Sequence, residues 1–302
     1  MKIAVLMGGN SSELDISLVT GKAVNKALNE LGHNVLACPF ENDISDVMHV
    51  LKEADLVFIA LHGGEGEDGT IQQLLEDESI CYTGSGPDSS ALSMDKHLAK
   101  SFARKKDILT PSWLHLNLDE DEFVDLSESK FSYPVVLKPN GSGSTMGLTI
   151  VKESRELDEA ISLASQFDSR LLVEEYITGR ELTVGILNEE SLPIVEIKPS
   201  HDMYDYECKY TEGMSDYTCP AELFDKLTEE IQKVSVKIYK LMGCRHYARV
   251  DFLLDSDDNY YFLEVNTLPG LTGTSLVPKA AKAVDMSFND LIAKIVELAV
   301  ND

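Results

Sequence analysis

The sequence predicts an α/β protein whose later parts are α+β. Three observations carry that expectation. The first third alternates strand and helix patterns separated by glycine turns, which argues for a parallel sheet with helices on its faces. Further along, apolar runs pair across short polar turns, as at 249–254 and 260–265 on either side of "DSDDN". Finally, 302 residues with 43% hydrophobic content exceed one small core and suit two or three compact units.

The elements follow in order. "KIAVLM" (2–7) reads as a buried strand, and a Gly-Gly turn follows it. Ile16, Val19, Ala23, Ala27, Leu28 and Leu31 then recur at helical spacing until Gly32 stops them. Ser12 and Asp15 suggest a capping box at the start of that helix. "NVLACPF" and "DLVFIAL" are further strands. Parallel sheets place ligands at the C-terminal ends of their strands, where 8–12 and 62–69 fall. A second unit opens on a single expected helix over 90–108. It continues through "YPVVLKP", "LTIV", the helix "ELDEAISLASQF" and "RLLVEEYI". The third holds "ELTVGIL", a polar loop over 205–219, a helix over 221–241, two strands and a helix after Met286. The expected boundaries are 1–93, 94–178 and 179–302. The acidic stretch 119–130 reads as a solvated helix or linker.

Composition narrows the function classes. Net charge is −26, which repels nucleic acid and anionic lipid. No nucleic-acid or membrane partner is expected, and a phosphate ligand would need local cations, amides or a metal. Cys38, Cys81, Cys208, Cys219 and Cys244 are odd in number and scattered, without a C-x-x-C pair. That indicates neither a zinc site nor a disulfide framework and fits a reducing compartment. The apolar run at 3–7 is too short for a signal peptide, and none approaches the roughly 18 residues of a membrane span. A cytoplasmic location is expected.

Two stretches carry the chemistry. In "VVLKPNGSGSTMGLTIV" a strand runs into Lys138 and then a Gly/Ser loop. Glycine lets backbone amides approach an anion and serine adds donors, so 141–145 could cover phosphates. A plain hairpin is equally compatible with those residues alone. In "ARVDFLLDSDDNYYFLEVNTLPG" Asp251 lies in one strand, while Glu264 and Asn266 end the next and share a face by the period of two. Oxygen donors of this kind suit Mg²⁺, which completes its shell with phosphates; the competing reading is a salt bridge from Glu264 to Arg249. A third stretch, "LVEEYITGRELTVGI", could hold an adenine at its hinge and a ribose at Glu181, but is weak by itself.

The motifs in order are "GGNSSELDISL", "ALHGGEGEDGTIQQLLE", "YTGS", "ALSMDK", "YDYECKY", "CPA" and "EVNTLPGLTGTSLVP". Together they resemble the ATP-grasp fold, and more closely the D-alanine–D-alanine ligase family, over nearly the whole chain. The resemblance implies a three-domain ATP-grasp fold with a Rossmann-like N-terminal sheet. Its implied reaction passes through an acyl phosphate, in peptidoglycan precursor synthesis. Lys96 and Lys138 would contact the ATP phosphates, with Gly143, Ser144 and Thr145 in the loop above them. Glu174, Glu175, Tyr176 and Ile177 would line the adenine site, and Glu181 would take the ribose. Asp251, Glu264 and Asn266 would hold two Mg²⁺ ions, for which Mn²⁺ could substitute.

For the amino-acid substrates, the resemblance puts Glu13 on the first D-alanine's ammonium and His62 nearby. Left to themselves, Glu13 is an acidic first helical turn and a lone histidine is more often structural. Arg249 and the Gly270 amide would face the oxyanion. Ser144 and Tyr210 would bond with Glu13, Lys209 would reach phosphate or carboxylate, and Ser275 and Leu276 would bind the second carboxylate. Tyr210 favours a dipeptide product over a D-alanyl–D-lactate ester. The family is commonly homodimeric. Gln73, Asp15, Asn140–Gly141 and Tyr176 depart from its frequent residues, which bears on nucleotide affinity. Other readings are the same machinery with D-lactate or D-serine as acceptor, or a non-catalytic ATP-binding regulator. The regulator should lack some of Lys96, Lys138, Lys209, Arg249, Glu264 and Asn266, and all six are present.

Overall fold

The computed structural model describes residues 1–120, 131–200 and 213–302. Three sheets organise it. The first has strand β1 (Lys2–Gly8) between β2 (Asn34–Phe40) and β3 (Leu56–Ile59), all parallel. Ile3, Ala4, Val5 and Leu6 are fully buried, as expected of a central parallel strand covered on both faces. Gly8, at φ +93°, ends β1 where an added Cβ would lie 2.2 Å from the Phe40 carbonyl oxygen. Only glycine fits there, and the turn it makes releases the chain toward helix α1 (Leu14–Glu30).

The expected capping box of α1 does not form. Glu13 occupies the N-cap without a side-chain bond to the helix, because its carboxylate is turned away to Ser144. Helices α2 (Ser45–Leu51) and α3 (Thr70–Asp77) complete the first layer.

The single helix expected over 90–108 is two: α4 (Pro87–Met94) and α5 (Lys96–Arg104). Asp95 breaks it. Its backbone is extended and its side chain accepts from the Leu98 N–H, so capping a new helix wins over continuing the old one. The break leaves Lys96 as the first residue of α5.

The second sheet is antiparallel, in the order β4 (Trp113–Asn117), β7 (Arg170–Glu175), β5 (Val135–Pro139), β6 (Thr149–Val151). Helix α6 (Leu157–Ala164) packs on it through Leu157, Ala160 and Ala164, against Val135, Leu137, Leu171 and Val173. The third sheet is also antiparallel. Its order is β11 (Ser215–Thr218), β10 (Val195–Pro199), β8 (Arg180–Leu187), β12 (Tyr247–Leu254), β13 (Tyr260–Asn266), with β9 (Glu190–Ser191) on β8. Helix α7 (Asp225–Leu241) covers it, starting four residues later than the sequence suggests, with Phe224 as N-cap.

Two last helices return to the beginning. Helix α8 (Leu276–Lys282) and helix α9 (Phe288–Val300), the latter opened by a Ser287–Asp290 capping box, send Leu276, Val277, Leu291, Ile292, Ile295 and Val296 into the same core as Ile3, Val5 and Leu28. The first sheet's core is thus finished by residues almost 300 positions away.

Candidate active site

The site forms where the three sheets meet. A cavity of about 330 Å³ faces the first sheet and a smaller one of about 130 Å³ lies between the second and third. They meet along Lys96, Gly143, Ser144, Arg249, Glu264 and Leu276, which line both.

On the larger side, the loop after β1 supplies Glu13 and the loop after β3 supplies His62, both buried. The Ser144 hydroxyl donates to Glu13 across 131 residues of chain. Gly63, at φ +67°, allows this approach: a Cβ there would lie 2.7 Å from a Glu13 carboxylate oxygen. His62 Nε2 is 2.9 Å from the Thr20 hydroxyl, and its Nδ1 is 3.6 Å from Glu67. Gly270, Ser275 and Leu276 close the far wall, where the Thr272 N–H donates to the Ser275 hydroxyl at 3.1 Å.

On the smaller side lie Lys138, Ser142–Met146, Glu181, Asp251 and Phe252. The loop is fastened at its base. The Lys96 ammonium donates to the Ser142 carbonyl at 2.7 Å, the Gly141 N–H to Asp168 at 2.9 Å, and the His97 N–H to the Asn140 side chain at 2.8 Å. Ser144 and Thr145, at φ +51° and +62°, both sit in the left-handed region. Two successive non-glycine residues there store backbone strain, a feature that clusters at ligand clamps.

Strand register brings the acids together. Asp251 pairs with Glu264, and Arg249 with Asn266, so all four project from one sheet face. Arg249 grips Asp251 through two nitrogens, at 2.9 and 2.7 Å, and the Thr183 hydroxyl donates to Asp251 at 2.5 Å. The salt bridge that could explain Glu264 therefore forms with Asp251 instead; Glu264 approaches the Lys96 ammonium at 3.4 Å. Among the described residues no three His, Cys, Asp or Glu side chains make a ready cage for a metal. Two carboxylates and the Asn266 amide are a donor set of the sort Mg²⁺ takes together with water and phosphate oxygens, so these residues fit that ion.

The hinge after β7 behaves differently from a simple adenine wall. Glu174 is buried, and its two oxygens face Lys100 at 2.8 Å and Lys138 at 2.9 Å. Burial alone would raise its pKa, but the two ammoniums outweigh that and hold it below the usual carboxylate range. Burial lowers the pKa of Lys100 to about 8, with Lys138 acting in the same direction and Glu174 against it. Glu175 accepts from the Ser112 N–H at 3.3 Å, and Tyr176 and Ile177 are half-buried; none of 174–177 lines either cavity. Lys209 and Tyr210 lie outside the described residues.

Sequence reasoning passed over Thr20, Glu67, Thr183 and Lys100. For Lys100 a signal existed: it follows Lys96 by four residues, and so shares its helix face. Thr20 and Thr183 are ordinary helix and strand residues whose partners come from distant segments, and Glu67 is one of several acids in the loop that also carries its partner His62.

Comparison with known proteins gives a consistent result. The family profile described as D-ala D-ala ligase C-terminus matches residues 105–297, and that described as D-ala D-ala ligase N-terminus matches 40–85. The D-alanine–D-alanine ligase of Aquifex aeolicus is 46% identical over 297 residues, 98% of this chain and 100% of that one. The enzyme of the same name from Halalkalibacterium halodurans is 43% identical over 308 residues, 99% of each. Among solved structures, D-alanine–D-alanine ligase from Bacillus anthracis complexed with ATP superposes with a TM-score of 0.88 at 34% identity, covering 100% of this chain and 98% of that one. The VanG D-Ala:D-Ser ligase from Enterococcus faecalis gives 0.86 at 30%, covering 99% of each.

Proposed function

The chain belongs to the D-alanine–D-alanine ligase family, and from that premise we propose how its residues carry the reaction. It is an ADP-forming carboxylate–amine ligase that joins two D-alanines, with ATP as phosphoryl donor, in peptidoglycan precursor synthesis. The observation that carries the residue assignment is the junction of the two cavities. Lys96, Ser144, Arg249 and Glu264 face both a phosphate-binding loop and a chamber holding Glu13, so a carboxylate in one can meet a phosphate in the other.

ATP occupies the smaller side. Lys96 and Lys138 take its phosphates, 141–145 covers them, Glu181 takes the ribose, and 174–177, which lines neither cavity, is assigned to the adenine by the family resemblance. Asp251, Glu264 and Asn266 would hold two Mg²⁺ ions, which supply charge neutralisation for phosphoryl transfer when bound. Glu13, next to His62, receives the first D-alanine's ammonium. That substrate's carboxylate oxygen attacks the γ-phosphorus, and ADP leaves. The second D-alanine, its carboxylate on Ser275 and Leu276, attacks the acyl carbon with its amine. Arg249 and the Gly270 amide take the developing oxyanion, the carbonyl re-forms and phosphate departs. The Ser144–Glu13 bond ties the loop over the site and keeps water from the acyl phosphate; by family resemblance Tyr210 would join that link and Lys209 would reach the phosphate or the second carboxylate.

The three-unit division at 93 and 178, a homodimer and a cytoplasmic location belong to the same proposal. The three sheets support the first. Among the described residues no helix is long and apolar enough to cross a membrane.

The test is phosphate release from Mg-ATP with D-alanine, D-lactate, D-serine and L-alanine, with product mass. D-alanine-dependent release with D-alanyl-D-alanine as product is expected. Turnover only with a second acceptor would move the specificity, and ATP binding with no turnover would favour a regulator.

A further inference from the structure

We propose that Lys100 is a positioning residue for the nucleotide: its buried ammonium shares the Glu174 carboxylate and thereby leaves the charge of Lys138 available to phosphates. The proposal rests on the ATP reading above and deepens it.

Lys100 is fully buried and lines neither cavity. Helix α5 carries Lys96 and Lys100 one turn apart on the same face. Lys96 reaches the loop and the cavities directly. Among the described residues Lys100 is ion-paired with Glu174 Oε1, at 2.8 Å, while Lys138 holds Oε2 at 2.9 Å. The other groups facing Lys100 are the Trp113 ring, 5.7 Å from its nitrogen, and Arg104 on its own helix.

Burying an ammonium is costly, and an apolar side chain of similar length would fill the space at less cost. What the charge changes is the count. Two ammoniums share one carboxylate, a net +1, and of the two only Lys138 opens on the smaller cavity. Without Lys100, Glu174 and Lys138 are a neutral pair, and a polyphosphate entering the cavity meets no net charge from them. Lys100 therefore acts on the nucleotide through Glu174 and touches no reacting atom.

The experiment compares wild type, Lys100→Met and the double variant Lys100→Met/Glu174→Gln. Steady-state kinetics give KM for ATP and kcat, and competition gives the inhibition constant of inorganic tripolyphosphate, a probe without adenine. In Lys100→Met both KM for ATP and the tripolyphosphate constant should rise about tenfold, with kcat within about twofold, the signature of binding lost equally in ground and transition states. The double variant restores the net +1, so its tripolyphosphate constant should return to within about threefold of wild type. An unchanged KM for ATP in a folded Lys100→Met protein overturns the proposal, as does a fall in kcat and thermal stability with that KM unmoved. Should Lys100→Met not fold, the double variant decides, and a tenfold loss of tripolyphosphate affinity in it overturns the proposal. A wild-type chain that binds no ATP overturns instead the functional reading beneath it.

Discussion

At Glu13 two uses of one carboxylate compete. A residue at a helix N-cap normally satisfies the helix's own N–H groups, yet this one turns to Ser144. Local stability is given up for a contact that joins two distant segments. Lys138 and Arg249 can be separated in the same terms. Lys138→Ala should lower kcat/KM for ATP by about two orders of magnitude, since the phosphates lose a direct cation; full activity in steady-state assays would remove that role. Arg249→Ala should lower kcat by about 10²-fold while nucleotide binding, followed by calorimetry, survives. Loss of ATP binding alone would argue against an oxyanion role. A stability prediction belongs here too. The folded protein releases the Lys100 proton near pH 8, below the ordinary lysine value of 10.5. Between those values the unfolded chain binds more protons, so this residue's contribution makes the fold more stable as pH rises. Urea midpoints from pH 8 to 10 should rise less in Lys100→Met than in wild type; parallel curves would contradict it. Glu174 acts on the acid side. Its lowered pKa contributes stability that is present above the ordinary carboxylate value and lost as pH falls through the folded one.

Helix α5 shows how an element carries function through its first residue. Asp95 accepts from the Leu98 N–H and also takes Arg170 at 2.8 Å, which ties the helix start to the strand behind the phosphate loop. Asp95→Ala should cost about 1 kcal/mol of stability and raise KM for ATP, because Lys96 is the next residue. Unchanged KM despite lower stability would show that Lys96 finds its place without the cap. The same element marks what could be read in advance. The period-two and buried-run patterns of β1, β12 and β13 are local, and so were legible. The break at Asp95 was not, because 90–108 holds no glycine or proline to stop a helix and the cap competes at a single residue. Likewise the motif spacing announced Lys138, Asp251 and Glu264 as candidates. That Arg249 would hold Asp251 and leave Glu264 beside Lys96 depends on register, a long-range property.

At the scale of the molecule, the site is a meeting of sheets on a strongly acidic chain. With a net charge of −26, the proposed phosphate binding would depend on a few inward lysines and on the ions that Asp251, Glu264 and Asn266 would hold. Removing divalent ions with a chelator should abolish turnover without unfolding the chain, because no described cluster of acids needs the metal to be buried. Circular dichroism and phosphate release measured together check this, and unfolding by the chelator would contradict it.

Helix α9 has a consequence for synthesis. Ile292 and Ile295 close a core that begins with Ile3, so as the chain leaves the ribosome the first sheet emerges with one wall missing. It stays incomplete until α9 has emerged. Apolar surface of that kind is what chaperones engage during translation, and the nascent chain should remain protease-sensitive at its N-terminal end until 288–300 has emerged.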